Sequence, residues 1–324
     1  MDIYVKKAII HQFSPDDTDL YLADKLLNIT PKIEEYLRKK IERVYSDEAR
    51  TGIFEEDNPF LEMISDDLLE TSVAVANRWK EEFVVSENQK TNDLVFIQFS
   101  KEGVDHFAFL RIALRETLTH LGGEVDNPIK LTQNNLPGFG TGADEALVIN
   151  LQSRKYHLIE KRIKYNGTFL NYFSENLLQA QPKISPKKSI KALEKTAQRI
   201  AESFNTDDFQ FQSKVKSAIF NHIEEENKLS PEKLADDLFD DNLTARLSFI
   251  DQVKEAVPEP VTFEEIDASR QLKKFENQKL SLSNGIELIV PNNVYEDAES
   301  VEFILNDNGT YSILIKNIED IQSK

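Results

Sequence analysis

Asp93-Leu94-Val95-Phe96-Ile97-Gln98-Phe99, a polar turn ending at Gly103, and Val104 to Leu114 with Phe107, Phe109 and Arg111 form the stretch that decides the fold class. Aromatic and β-branched residues at a period near two, bounded by a turn, predict an antiparallel hairpin. Upstream, Ile3-Tyr4-Val5 and Ala8-Ile9-Ile10 predict a first strand that stops at the turn cluster Phe13-Ser14-Pro15-Asp16-Asp17. Downstream, Ile129 to Gln133, Ala146 to Asn150 and Tyr156 to Ile163 add strands, giving a mixed sheet of five or six. Two helices interrupt this pattern. Thr30-Pro31 supplies an N-cap and a first-turn proline, with Ile33, Leu37 and Ile41 as a core stripe running to about Val44. A second helix is expected from about Phe60 to Phe83, with Leu61, Ile64, Leu68, Val75 and Trp79 apolar.

After Gly167 the pattern turns helical to about residue 256, with start signals at Ser185-Pro186, Thr206-Asp207-Asp208 and Ser230-Pro231-Glu232; three or four short helices fit. Beyond Pro258-Glu259-Pro260, Asn284-Gly285 and Asn306-Asp307-Asn308-Gly309 each separate two strand-like runs, predicting two hairpins. The fold class is therefore α+β: an N-terminal mixed sheet with helices over 1–166, a central helical segment over 167–256, and a small antiparallel β-rich C-terminal unit over 257–324.

The chain has 324 residues, 40% hydrophobic and 30% charged, a balance that excludes collagen-like and wholly disordered classes. Absence of Cys removes disulfides, thiolate metal sites and cysteine nucleophiles, and permits a reducing cytoplasm. The N-terminus lacks a signal-like basic and apolar pattern, and no run of about 18 apolar residues occurs, so no membrane segment is expected. The net charge is −18, yet residues 150–216 hold thirteen Lys and Arg against six Asp and Glu, a local +7 that leaves −25 elsewhere. A polyanion is repelled by such a molecule at long range, but a protruding basic patch still attracts one locally because exposed charges are screened beyond about 8 Å.

Chemistry-bearing patterns are few. In the helix opening at Ser185-Pro186, Ile190, Leu193, Ala197, Ile200 and Phe204 gather on one face. Lys187, Lys188, Lys191, Lys195 and Arg199 gather on nearly the opposite one, interrupted by Glu194. The cationic stripe is about 18 Å long at about 1.5 Å per residue, enough to follow several phosphates; a solvated helix face is the plainer reading. A second basic run, Arg154, Lys155, Lys161, Arg162 and Lys164, lies on a predicted strand and its edges, either to bind a ligand or to guard an edge strand, with Tyr156 and Tyr165 available for stacking. Gly138-Phe139-Gly140-Thr141-Gly142 resembles a phosphate cradle but lacks the following helix and lysine, so a flexible connector is expected. His11, His106, His120, His157 and His222 show no metal spacing, so neither metal nor cofactor is expected. Asp144 or Glu145 with Glu160 recurs in a nuclease-like order, but Arg162 stands where lysine would be needed. Acidic clusters such as Asp236-Asp237 and Asp240-Asp241 read as solvated helix edges.

Arg43-Val44-Tyr45-Ser46 followed by Gly52-Ile53-Phe54 opens a series of family-like segments. Asn150-Leu151 through Tyr156 and Leu158 to Phe169-Leu170-Asn171-Tyr172-Phe173 continues it, and Arg270-Gln271-Leu272-Lys273-Lys274-Phe275 leading to Gly285-Ile286-Glu287-Leu288 closes it. In this order the chain resembles the bacterial nucleoid-associated protein family of about 37 kDa, and its own mass is 37.2 kDa. The resemblance implies association with the bacterial nucleoid and double-stranded DNA, a link to type II topoisomerases, and no established catalytic activity. The expectation is a non-catalytic protein binding duplex DNA phosphates without strong sequence preference. The alternative is an adaptor recruited through a DNA-bound partner such as a type II topoisomerase, or an acidic mimic of DNA. A nuclease using Asp144 and Glu160 ranks last. Self-association is left open, with no heptad run to support a coiled coil.

Overall fold

The computed structural model describes residues 2–16, 19–83, 90–120, 129–165, 167–206, 208–263 and 265–322; the Tyr165 side chain, Asn166 and Asp207 lie outside what is described. The fold is α+β, and the chain forms two compact units, Met1–Ser185 and Pro186–Lys324.

In the first unit the strands are β1 (Ile3–Ser14), β2 (Asp19–Tyr21), β3 (Arg50–Ile53), β4 (Asn92–Lys101), β5 (Val104–Ala113), β6 (Arg115–His120), β7 (Ile129–Asn135), β8 (Glu145–Asn150), β9 (Lys155–Ile159), β10 (Ile163–Tyr165) and β11 (Thr168–Leu170). The helices are α1 (Pro31–Glu42), α2 (Pro59–Glu62) and α3 (Leu68–Phe83). Seven strands make one sheet in the order β2-β1-β4-β5-β8-β9-β3, and every pairing is antiparallel, so the sheet is not the mixed one of five or six strands that the sequence suggests. The β4–β5 hairpin sits at its centre with the expected turn, where Glu102 and Gly103 both take positive φ.

Along β4 the apolar run is continuous because both faces of the sheet are covered. Leu94 and Phe96 enter the core with Val75, Ala76 and Trp79 of α3, while Val95, Ile97 and Phe99 enter the opposite core with Leu37 and Ile41 of α1. A one-residue register slip would exchange these two sets, so pairing and packing enforce each other. Thr30 caps α1 as expected, its hydroxyl accepting from the Ile33 amide at 3.4 Å. The second expected helix is broken in two. Asn58 caps the short α2, then Ser65 and Asp67 compete for the backbone: the Ser65 hydroxyl accepts from Asp67 N at 3.2 Å and the Asp67 carboxylate from Leu69 N at 2.9 Å, which restarts the chain as α3.

Strand β7 exists but leaves the sheet, pairing with β6 in a separate two-stranded arm. The sheet gains instead the unexpected strand β3, which pairs with β9. Gly52 of β3 lies against the Tyr156 ring, where any Cβ would collide with the phenol, so glycine is required there. Residues 168–185, grouped by sequence pattern with the helices, belong to the first unit instead, Thr168–Leu170 as strand β11 paired with β10. Tyr172, Phe173, Leu177 and Leu178 join the α3-side core. Arg50 on β3 ties down the end of this segment by donating to the Pro182 carbonyl at 2.9 Å.

A buried polar cluster fastens that core. Arg111 Nε donates to Glu145 Oε2 at 2.6 Å and its Nη1 to Asn92 Oδ1 at 2.8 Å; the Tyr172 hydroxyl donates to the same Glu145 oxygen, and Trp79 Nε1 donates to Tyr172 Oη at 3.1 Å. Burial, reinforced by the Glu145 charge, pushes the Tyr172 phenol well above its ordinary pKa.

The second unit comprises α4 (Pro186–Ser203), α5 (Phe209–Glu226), β12 (Lys228–Leu229), α6 (Pro231–Leu238), α7 (Leu243–Lys254), β13 (Val261–Thr262), α8 (Ser269–Phe275), β14 (Asn277–Ser281), β15 (Glu287–Pro291), α9 (Asn292–Tyr295), β16 (Val301–Leu305) and β17 (Tyr311–Ile315). Helices α4 to α7 fill the stretch where three or four short helices are expected, with Asp208, Ser230 and Asn242 capping the last three, the Asn242 start being one the sequence signals do not mark. Their core runs from Ile190 and Leu193 through Phe249 to Phe263 and Phe275. The β14–β15 hairpin turns at Asn284-Gly285, with Gly285 at φ +87°, and β16–β17 at Asn306 to Gly309. The first hairpin is held to α5 by a buried amide, Gln278 Nε2, which donates to Ser213 O at 3.1 Å and to Asn292 Oδ1 at 2.7 Å.

Breaking one side of the buried ion pair strands a charge, whereas removing both sides does not. Arg111→Met is expected to lower unfolding free energy by about 3–5 kcal/mol, and Arg111→Met combined with Glu145→Leu to recover most of that loss. Urea unfolding of the two variants beside the parent checks it; equal losses in single and double variants would contradict the assignment.

Candidate nucleic-acid interface

The helix α4 presents the chemistry expected of it. Ile190, Leu193, Ala197 and Ile200 are buried in the second core, and Phe204 packs against its edge. Lys187, Lys188, Lys191, Lys195 and Arg199 are all exposed. At about 100° per residue the five span an arc of about 120°, a single face. Lys188, Lys191, Lys195 and Arg199 have no ion-pair partner among the described residues, while Lys187 makes a contact of its own.

Glu194, the acid within the stripe, is half-buried and drawn aside: its carboxylate accepts from Lys274 Nζ of α8 at 3.1 Å. Nothing within α4 signals Lys274, which lies 80 residues further along the chain. Phe275 and Gln271 anchor α8 in the unit, which leaves Arg270, Lys273 and Lys274 exposed. Lys274 also lies over the Phe275 ring at 4.2 Å. Sequence reasoning also passed over Glu202, which falls in the same arc one turn past Gln198 and receives its amide at 3.3 Å. The uninterrupted cationic surface therefore ends at Arg199.

The second basic run does not form one surface. Strand β9 ends at Ile159, so Lys161 and Arg162 lie in the connection to β10 rather than on a strand. Arg154, at φ +60°, reaches Glu56 at 3.8 Å; Lys161 pairs with Asp144 at 2.7 Å. Arg162 donates to the Phe169 carbonyl at 2.9 Å and covers that ring at 5.7 Å. Lys155 is exposed at the start of β9, Lys164 is half-buried on β10, and both have contacts within the protein. The Tyr156 ring is buried against Phe54, with centroids 4.4 Å apart, and is not available to stack on a base.

The carboxylates set in nuclease-like order are each held separately. Asp144 accepts from Lys161 and from the Ala113 amide at 2.9 Å, and despite partial burial these donors keep its carboxyl below the usual range. Glu145 belongs to the Arg111 cluster. Glu160 is bound by Arg50, by the Ser174 amide at 3.0 Å and by the Ser174 hydroxyl at 2.9 Å. Among the described residues no group of three His, Asp or Glu side chains could hold a metal ion. His11 is buried; its Nδ1 accepts from Ala23 N at 3.1 Å, its Nε2 faces Ser72 Oγ at 2.9 Å, and burial lowers its pKa. His106 stacks on Phe99, His157 lies tilted against Tyr45 with centroids 4.6 Å apart, His222 meets Asp237 at 2.7 Å, and His120 lies exposed on the β6–β7 arm.

The glycine-rich loop is an ordered structure, not the flexible connector expected. The buried Lys40 ammonium donates to the carbonyls of Gly138 at 2.9 Å, Pro137 at 3.3 Å and Thr141, and Tyr36 caps Pro137 O at 3.0 Å. A phosphate cradle turns N–H groups inward; this loop turns C=O groups inward around a cation, the opposite polarity. Burial, with the Arg43 and Arg115 charges, pulls the Lys40 amine down to about 8.

A family model described as nucleoid-associated protein YejK matches residues 9–321. No curated protein matches the chain. No helix among the described residues is long and apolar enough to cross a membrane.

Without its ammonium the carbonyl ring has nothing to close on. Lys40→Met is expected to raise amide hydrogen exchange across residues 137–142 while β4 and β5 stay protected; unchanged exchange in the loop would contradict the caging role.

Proposed function

Because the chain belongs to the family of the nucleoid-associated protein YejK, we propose that it contacts double-stranded DNA directly, through backbone phosphates and without strong sequence preference. The observation that carries this reading is the outward face of α4. Lys188, Lys191, Lys195 and Arg199 project from one helix face with no acidic partner among the described residues, and Glu194 is drawn off by Lys274. Side chains committed to folding an acidic protein would be neutralised, as Arg50, Arg111 and Lys161 are. A row of cations about 17 Å long at about 1.5 Å per residue fits successive phosphates and carries no hydrogen-bonding pattern that would read bases. The protein acts in the cytoplasmic nucleoid by binding rather than by catalysis, and Arg154, Lys155, Lys161, Arg162 and Lys164 are left as peripheral contacts at most.

The second reading is an adaptor that reaches the nucleoid through a DNA-bound protein such as a type II topoisomerase. The −25 balance outside residues 150–216 favours it, since most of the surface repels DNA. Capture of partners from lysate separates the two: partners that survive nuclease digestion favour the adaptor.

The substitutions Lys188→Glu, Lys191→Glu and Lys195→Glu together are expected to weaken duplex binding at low salt by at least about tenfold, from a non-specific Kd of about 10⁻⁴ to 10⁻⁶ M. These side chains are exposed, so the thermal unfolding midpoint should stay unchanged. Equal retention of duplex DNA by the triple variant and the parent in a gel-shift titration removes the direct-contact reading.

A further inference from the structure

The second unit ends in a ribbon whose surface is unlike that of a solvated hairpin. In β16–β17, Val301 is buried, and Phe303 packs on Phe209 with centroids 5.1 Å apart and on Tyr295 at 5.3 Å; this fastens the base of the ribbon. Tyr311, on the same face, also packs on Phe209 with centroids 5.2 Å apart. Exposed aliphatic side chains nevertheless run along both faces: Leu305 (63% exposed) at the turn end and Ile315 opposite Val301 lie on the face that carries Phe303, and Ile304 and Leu314 (47% exposed) lie on the other beside Glu302. Among the described residues no third strand covers either edge. Exposed aliphatic side chains on an open-edged ribbon form a surface of the kind that accepts another chain.

Charge decides which chain. Residues 291–322 hold seven Asp and Glu against one lysine, Lys316, and that lysine is already paired with Glu302 at 2.7 Å. A second copy seated ribbon to ribbon would set like charges against each other, and a nucleic acid or an anionic membrane would be repelled in the same way. A polypeptide carrying alternating cationic and aliphatic side chains meets both properties together, its aliphatic residues on the leucine and isoleucine side chains and its cations among the carboxylates. We propose that the β16–β17 ribbon is a docking surface for a cationic, aliphatic segment of a partner protein, added as an extended strand. This surface is separate from the α4 face, and its partner is a protein whether or not α4 binds DNA.

The probe is a labelled eight-residue peptide alternating lysine and valine, with octalysine as the charge-only control and fluorescence anisotropy on the full chain as the readout. The alternating peptide is expected to bind at least about tenfold more tightly than octalysine, a difference of about 1.4 kcal/mol. Leu305→Ser, Leu314→Ser and Ile315→Ser together should abolish that preference while leaving octalysine binding unchanged. Glu296→Gln, Glu299→Gln and Glu319→Gln together should weaken both peptides. All six positions are exposed, and a matching thermal midpoint confirms that each variant is folded. No binding of the alternating peptide, no preference over octalysine, or a preference that survives the serine variant overturns the proposal. So does sedimentation showing that the parent self-associates through the ribbon and the serine variant does not.

Discussion

Burial of Ile190, Leu193, Ala197 and Ile200 fixes how α4 is rolled about its axis, and the functional reading depends on that roll. Each large aliphatic side chain contributes about 1.5–3 kcal/mol by leaving water, and turning the helix by one residue would exchange some of them for ammonium groups that have no buried partner. The sequence places the lysines at i, i+4 and i+8 on the side away from this stripe, so packing alone holds them toward solvent. Lys274 then completes the surface from a second helix by drawing Glu194 aside. Fold and proposed interface thus share one cause.

The first unit spends its charges differently. Its sheet is covered on both faces, so polar groups that enter must bring partners, and Arg111, Glu145, Tyr172 and Trp79 arrive as a connected cluster. Glu160 and Asp144 are likewise committed to Arg50 and Lys161. Carboxylates neutralised by neighbouring cations hold sheet, connection and loop together and leave little free charge for a divalent metal. The caged Lys40 follows the same economy, with backbone carbonyls in place of carboxylates.

Features with local causes were legible before the structure. Thr30-Pro31, Asn284-Gly285 and the α4 stripe depend on capping, turn chemistry and helical period, all written within a few residues. Features set by distant contacts were not. Arg50-Thr51-Gly52-Ile53 is too short and too glycine-dependent to read as a strand, and only the Tyr156 ring explains it. Strand β7 carries a strand-like pattern, but nothing in its own residues says that it would pair with β6 outside the main sheet. The second basic run looked like a ligand surface because its counter-charges, Glu56 and Asp144, lie far away or across a turn. The aliphatic pattern of 301–315 predicts the last hairpin and gives no sign that Leu305, Leu314 and Ile315 stay exposed.

The proposed contact between a small, countable set of α4 cations and phosphate is measured directly by the salt dependence of duplex affinity. With four or five engaged cations, log affinity plotted against log salt should fall with a slope of about −4, the same for unrelated duplex sequences. A slope near zero, or an affinity that differs strongly between sequences at one salt concentration, would contradict it.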